Sequence, residues 1–356
     1  MTRSPARWRR SRYGVGQKRR ERLYGALDLG TNNCRLLIAK PEGGGFRVVG
    51  SFSRIVRLGE DVSRTGCLIE SAMDRAIDAL AICADKLRGM GVTRMRNVAT
   101  EACRRAGNCQ DFLGRIKGET GLEFETISAE EEARLALLGC QSLLTDEAPY
   151  ALVFDIGGGS TEITWARKKS PANFEMLDVV SLPIGVVNLA EQCGCTEIAP
   201  QRYAELVCDI ANRIPPFCSR NGIRSRVSAG EVQMLGTSGT VTTLGAVHLD
   251  LPQYSRSRID GLVLDFDALT KAAQQISSLD FAGRAAIPCI GSERAELVVP
   301  GCAILDAICR SWPVGKLTIA DRGLREGMLM ELMAADGRDI TGLPPHAPIT
   351  SNGTVH

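Results

Sequence analysis

The sequence offers little to a membrane, a secretory route or a zinc centre. No window approaches 18 uninterrupted apolar residues, so no membrane span is expected. No apolar run follows the N-terminus, so no secretory signal is expected. Histidine is scarce, with 3 in 356 residues, and Cys193-Gly-Cys195 is the one close pair among 13 cysteines. That is too thin for the spacing of a zinc site. The odd, scattered cysteines read as reduced thiols of a cytoplasmic protein, several of them buried. No Gly-Lys-Ser/Thr run closes a Walker loop, and no base-reading element argues for a specific nucleic-acid partner.

What is present is apolar enough, at 44%, for one large or two ordinary cores. The net charge of +2 is uneven: residues 1–22 hold nine Arg/Lys and one Glu, which puts +8 there and leaves −6 for the rest. This segment reads as a solvated tail, with a polyanion-binding arm as the alternative.

Residues 23–40 read as strand, tight turn and strand, followed by a turn at PEGGG (41–45) and one or two further strands. Met73, Ala76, Ile77, Leu80, Ala84 and Leu87 have helical spacing and predict a helix over 70–88. MRNVAT reads as a strand, with a helical piece from Glu101. SAEEEARLALLGCQSLL (128–144) reads as a helix whose Ser128 and Glu131 form a capping box. YALVFDIGGGSTEITWARK is again strand, turn and strand. Helices are expected near 200–213, 240–247, 266–278, 292–311 and 321–335, with a strand at KLTIA. The class is α/β with mixed sheets.

Two turns repeat. ALDLGTNN (26–33) and VFDIGGGS (153–160) each carry an apolar strand, an Asp, an apolar residue, a Gly and then small polar or Gly residues. Asp28 and Asp155 lie 127 positions apart, about one domain length, which suggests duplicated halves facing each other. The chemistry suits phosphate. Glycine lets main-chain N–H groups approach an anion, while Thr31, Asn32, Asn33, Ser160 and Thr161 add small donors. An Asp at each strand end would repel bare phosphate, and makes sense with a hard cation such as Mg²⁺ between them. GTSGTVTTL (236–244) places Gly236, Ser238 and Gly239 before a helix start, a third anion-binding candidate or a plain N-cap. With histidine scarce, a carboxylate is the expected base. Glu131 has a capping job, which leaves Glu130 and Glu132.

With these motifs on the page, the chain resembles the Ppx/GppA phosphatases, the exopolyphosphatases and guanosine pentaphosphate phosphohydrolases of the acetate and sugar kinase/actin superfamily. The matching stretches are ALDLGTNNCRLLIA, ATEACRRAGN, ISAEEEARLALLG, VFDIGGGSTEI, SLPIGVVNLAE, GTSGTVTTL and DRGLREGML, in family order over about 23–330. The resemblance implies two actin-like lobes, over 23–127 and 128–335, with a last helix that packs back on the first lobe; residues 336–356, with their Gly, Pro, Ser and Thr, read by composition as a disordered tail like 1–22. It implies a ribonuclease H-like fold, a cleft holding a phosphate chain, and water attack on a terminal phosphoryl group with Mg²⁺. By motif position Asp28, Asp155 and Glu162 correspond to the metal-side carboxylates. Gly30, Thr31, Asn32, Gly157, Gly158, Gly159, Ser160 and Thr161 correspond to the cradle, Arg104 to an arginine on phosphate oxygens, and Glu132 to the catalytic glutamate.

Inorganic polyphosphate is the expected substrate and guanosine pentaphosphate the alternative. A non-catalytic nucleotide-binding module and a sugar or acetate kinase are the rivals on the same fold. A homodimer is expected from the family. Asn33 replaces a smaller Ser of the family pattern, and Asn188 stands where many members have Arg. With no His-Asp pair, the chain reads as the short, two-lobe form.

Overall fold

The computed structural model describes residues 22–171, 173–193 and 198–340. The expected tail 1–22 therefore lies outside the described residues up to 21, and the expected tail 336–356 from 341 onward.

The first sheet comprises β1 (Tyr24–Leu29), β2 (Asn33–Glu42), β3 (Gly45–Ile55), β4 (Arg94–Ala99) and β5 (Glu125–Thr126), in the order β3-β2-β1-β4-β5. Helices α1 (Val62–Thr65), α2 (Glu70–Gly89), α3 (Glu101–Arg105) and α4 (Cys109–Thr120) accompany it. The second half opens with α5 (Ala129–Cys140), β6 (Tyr150–Ile156), β7 (Thr161–Ser170), β8 (Asn173–Leu182), α6 (Val186–Cys193), α7 (Pro200–Ala211), α8 (Pro215–Arg220) and α9 (Ile223–Ser228). It continues through β9 (Val232–Thr237), α10 (Gly239–His248), α11 (Arg256–Ile259), β10 (Val263–Asp265), α12 (Phe266–Ser277) and α13 (Phe281–Ala286). The last elements are α14 (Val298–Ser311), β11 (Lys316–Ala320) and α15 (Leu324–Ala335).

The second sheet runs β10-β11-β9-β6-β7-β8. Its plan repeats the first: a central strand, β1 or β6, has an antiparallel hairpin on one side and a parallel strand, β4 or β9, on the other. A two-residue strand period gives each sheet two apolar faces, and both are covered. One core packs Leu27, Leu36 and Ala99 against α2 and α4. The opposite face of the first sheet, with Tyr24, Leu37 and Val98, packs against Leu324, Met328 and Met333 of α15. Leu137 and Cys140 of α5 cover Ala151, Val153 and Leu235 of the second sheet.

Helices α5 and α15 thus lie between the sheets, and they cross in backbone contact. A methyl group on Gly139 would overlap the Gly323 carbonyl, and one on Gly327 would overlap the Leu135 carbonyl. Asp336, just past α15, is tied to the start of the first sheet, accepting from Arg22 Nη1 at 2.6 Å and Tyr24 Oη at 2.9 Å.

Several expectations shift. The helix expected from 292 begins at Val298; Pro300 in its first turn lacks an N–H and limits how far the helix extends upstream. The helical piece at Glu101 breaks after Arg105 and resumes at Cys109. Ser128 Oγ caps Glu131 N–H, but the Glu131 carboxylate turns to Arg96 and Arg134, so the reciprocal half of the capping box is not formed. Strands β8 and β9 escape the sequence reading. Among the described residues no helix is long and apolar enough to cross a membrane.

Candidate active site

The turns after β1 and β6 are built alike. Gly30 N–H donates to Asn33 O and Gly157 N–H to Ser160 O, each at 2.9 Å. A tight hairpin fixes register, so Asp28 stands opposite Arg35 and Asp155 opposite Glu162. The two turns meet. A Cβ on Gly158 would lie 3.0 Å from Thr31 Cβ and 3.2 Å from Asn32 N, and one on Gly159 would lie 2.9 Å from Thr31 Oγ1. What crowds the main chain at 158 and 159 is therefore the opposite turn, whose Thr31 and Asn32 are buried. The N–H groups of Thr31, Asn32, Gly158, Gly159 and Ser160 find no main-chain acceptor among the described residues.

Other residues expected in the cradle have protein partners. Ser160 Oγ donates to Glu162 Oε1 at 2.7 Å, and the buried Thr161 Oγ1 donates to Ile184 O at 2.7 Å. Asn33 opens β2 and pairs across to Ile55. Gly236 sits beside Phe154, whose ring an added Cβ would meet at 2.5 Å. Ser238 Oγ accepts from Thr240 and Val241 N–H as the N-cap of α10, and Gly239 is its first residue. Packing and capping thus explain Gly236 and Ser238, although Thr237 pairs with Asp155 and brings this segment to the border of the site. Asn188, expected to mark a missing cation, is buried behind the glycine turn and donates to Gly159 O at 2.8 Å.

Arg104 on α3 gathers three carboxylates. Nη1 donates to Glu132 Oε2 at 2.7 Å, Nη2 to Glu101 Oε2 at 2.9 Å, and Glu162 Oε1 lies 3.8 Å from Nη2. Its Nη1 also donates to Ile127 O at 3.1 Å. Position separates the two acids left open by the sequence: Glu130 is exposed, while the Glu132 side chain is 14% exposed. Burial pushes the Glu132 carboxyl well above its usual range, and the Glu162 charge adds to that, against the pull of Arg104.

The two turn aspartates share one field. Burial pushes Asp155 up to about 7, with Glu162 and Asp28 adding repulsion and Arg35 and Arg325 opposing it. Burial likewise raises Asp28 against Arg35 and Arg325. Glu162 is raised by burial, although Ser160 and Ser181 hydroxyls donate to its Oε1 at 2.7 and 2.8 Å. Sequence reasoning missed Arg35, Arg325, Glu101 and Ser181. Hairpin pairing across the first turn would have found Arg35.

Among the described residues no three His, Cys, Asp or Glu side chains enclose a metal position. The donors available are hard oxygens: Asp28, Asp155 and Asn32 Oδ1, a buried acceptor without a hydrogen bond. Mg²⁺ keeps several waters and takes one or two carboxylates together with substrate phosphates, so these residues fit it.

The model of the Ppx/GppA phosphatase family matches residues 37–336. The chain is 29% identical over 315 residues to a guanosine-5'-triphosphate,3'-diphosphate pyrophosphatase of Photobacterium profundum, a match covering 88% of this chain and 59% of that protein. It therefore spans less than two thirds of that relative's length. Among solved structures it is similar to the Ppx/GppA family member of Aquifex aeolicus, at 27% identity and a TM-score of 0.72, covering 88% of this chain and 98% of that one. It shares the fold of an exopolyphosphatase from Cytophaga hutchinsonii, at 24% identity and a TM-score of 0.79, covering 90% of this chain and 99% of that one. The two lobes have the actin-like architecture of these proteins, and the chain belongs to the Ppx/GppA phosphatase family.

Proposed function

We propose that the protein is an Mg²⁺-dependent exopolyphosphatase that releases terminal phosphate from inorganic polyphosphate by attack of water. The observation that carries this reading is the meeting of two matched turns, each with main-chain N–H groups that lack main-chain acceptors, beside a largely buried group of carboxylates. Phosphoryl transfer needs positioning and charge neutralisation more than covalent help. The N–H groups of Thr31, Asn32, Gly158, Gly159 and Ser160 would hold phosphoryl oxygens as charge shifts onto the leaving group. Glu132 would take the proton of the attacking water, and burial makes its carboxylate a stronger base than an exposed one. Arg104 would hold Glu132 in place and offset the Glu101 and Glu162 charges. Asp28 and Asp155, with Asn32 Oδ1 at hand, would hold Mg²⁺, which would supply neutralisation of phosphate charge; the Glu162 carboxylate is engaged by the Ser160 and Ser181 hydroxyls.

Guanosine pentaphosphate 5′-phosphohydrolysis is the second reading, favoured by the similarity to the Photobacterium profundum pyrophosphatase. Phosphate release from polyphosphate and from guanosine pentaphosphate under identical conditions separates the two. A large preference for the nucleotide reverses the ordering. Heavy-oxygen label from water appearing in the released phosphate excludes transfer to another acceptor, the kinase alternative.

A further inference from the structure

Every carbonyl of the glycine turn is held from behind. Val186 N–H donates to Gly157 O at 3.0 Å and Val187 N–H to Gly158 O at 2.8 Å. The donor on Gly159 O is a side chain, Asn188 Nδ2, at 2.8 Å. Asn188 Oδ1 accepts from Gly185 N–H at 2.7 Å, so both ends of the amide are engaged and its orientation is set. The residue is 6% exposed. The backing segment also comes close: a methyl group on Gly185 would overlap the Gly158 carbonyl.

A trans peptide group is planar, so its C=O and the following N–H point in opposite directions. Drawing the oxygens of Gly157, Gly158 and Gly159 toward 185–188 therefore turns the N–H groups of Gly158, Gly159 and Ser160 to the other side. The first turn follows the same plan, with Gly59 N–H on Thr31 O at 2.8 Å and Val56 N–H on Asn32 O at 2.8 Å. There the donors are main chain. In the glycine turn, the peptide between Gly159 and Ser160 depends on one side chain.

We infer that Asn188 is a positioning residue of the anion site: by holding the Gly159 carbonyl it aims the Ser160 N–H at a phosphoryl oxygen, without touching substrate itself. The inference rests on the proposed phosphoanhydride chemistry for the identity of the anion. Asn188→Asp keeps the side-chain volume and an oxygen for Gly185 N–H, but sets a carboxylate oxygen against the Gly159 carbonyl.

The test uses the full chain carrying Glu132→Gln, to block turnover, with inorganic tripolyphosphate and Mg²⁺. Binding is read by calorimetry and by the amide resonances of Thr31, Asn32 and Ser160. With Asn188→Asp added, binding should weaken about tenfold or more, the scale of one lost hydrogen bond to a charged oxygen. The Ser160 amide should stop responding while Thr31 and Asn32 still shift. Unchanged affinity with a retained Ser160 shift overturns the role of Asn188 and leaves the proposed function standing. No response at any of these amides in the Glu132→Gln parent overturns the proposed function, and the Asn188 role with it. Should Asn188→Asp not fold, Asn188→Ser, too short to reach the Gly159 carbonyl, is judged by the same readings.

Discussion

Arg104 Nη1 lies 2.7 Å from Glu132 Oε2, and this contact joins α3 of the first lobe to α5, the helix between the sheets. The same guanidinium holds Glu101 and lies 3.8 Å from Glu162. One cation thus serves three acids from separate parts of the chain.

Glu132→Gln removes the proposed base and keeps the shape. Phosphate release should fall by about 10²–10⁴-fold, the usual contribution of general-base catalysis. Tripolyphosphate binding should persist in calorimetry. Turnover like that of the wild type removes Glu132 from the mechanism.

Arg104→Ala leaves the largely buried Glu132 and the buried Glu162 without their cation. Stranding one side of a buried ion pair costs about 3–5 kcal/mol. Denaturant unfolding should show a loss on that scale; a loss under about 1 kcal/mol would mean that water or protonation compensates.

Two glycine contacts each predict a loss on substitution by alanine. Gly158→Ala puts a methyl group 3.0 Å from Thr31 Cβ, so the turns must part. Overpacking of this kind costs about 1–3 kcal/mol, and phosphate release should fall with it. Gly327→Ala lies in α15, where alanine alone would favour the helix by about 1 kcal/mol. The overlap with the Leu135 carbonyl should reverse that sign. A raised melting temperature for Gly327→Ala would refute the close helix crossing.

Asp178 should make part of the stability pH-dependent. Its carboxylate accepts from Arg220 Nε at 2.5 Å and Asn221 Nδ2 at 2.6 Å. The Arg220 hydrogen bond, with Asn221 and the Val179 N–H, holds the carboxyl below its ordinary range against the effect of burial. A carboxyl lowered by folding contributes stability above its unfolded pKa of about 3.9, and loses it as pH falls through the folded value. Melts of wild type and Asp178→Asn should differ at pH 7 by no more than about 1 kcal/mol, because the pair is partly exposed, and should converge in acid. A constant gap across pH would place the effect elsewhere.

Chelation tests the metal assignment. Removing divalent ions should abolish phosphate release, and Mg²⁺ should restore it. Asp28→Asn and Asp155→Asn should each raise the Mg²⁺ concentration needed. Full activity in chelator would remove the ion from the proposal.

Local signals in the sequence were legible where few residues decide the outcome. The apolar spacing from Met73 to Leu87 matches α2, and Ser128 caps α5. The pairing of Asp155 with Glu162 follows from a short turn. Less legible were β8 and β9. Strand β9 is a short apolar run that periodicity does not separate from a helix. The start of α14 depended on Pro300, a single residue against a long apolar pattern.

The sequence by itself determined that two Asp-x-Gly turns end two apolar strands, because hairpin geometry is local and glycine permits it. It determined the helices whose apolar residues recur every three or four positions. Only the tertiary structure decided that Thr31 rests on Gly158, that Arg104 lies among Glu101, Glu132 and Glu162, and that Ser238 serves as a cap. These are contacts between separate elements or choices among several local partners. Side-chain hydrogen bonds form wherever packing brings a donor within about 3 Å, and chain order alone does not say which partner that will be.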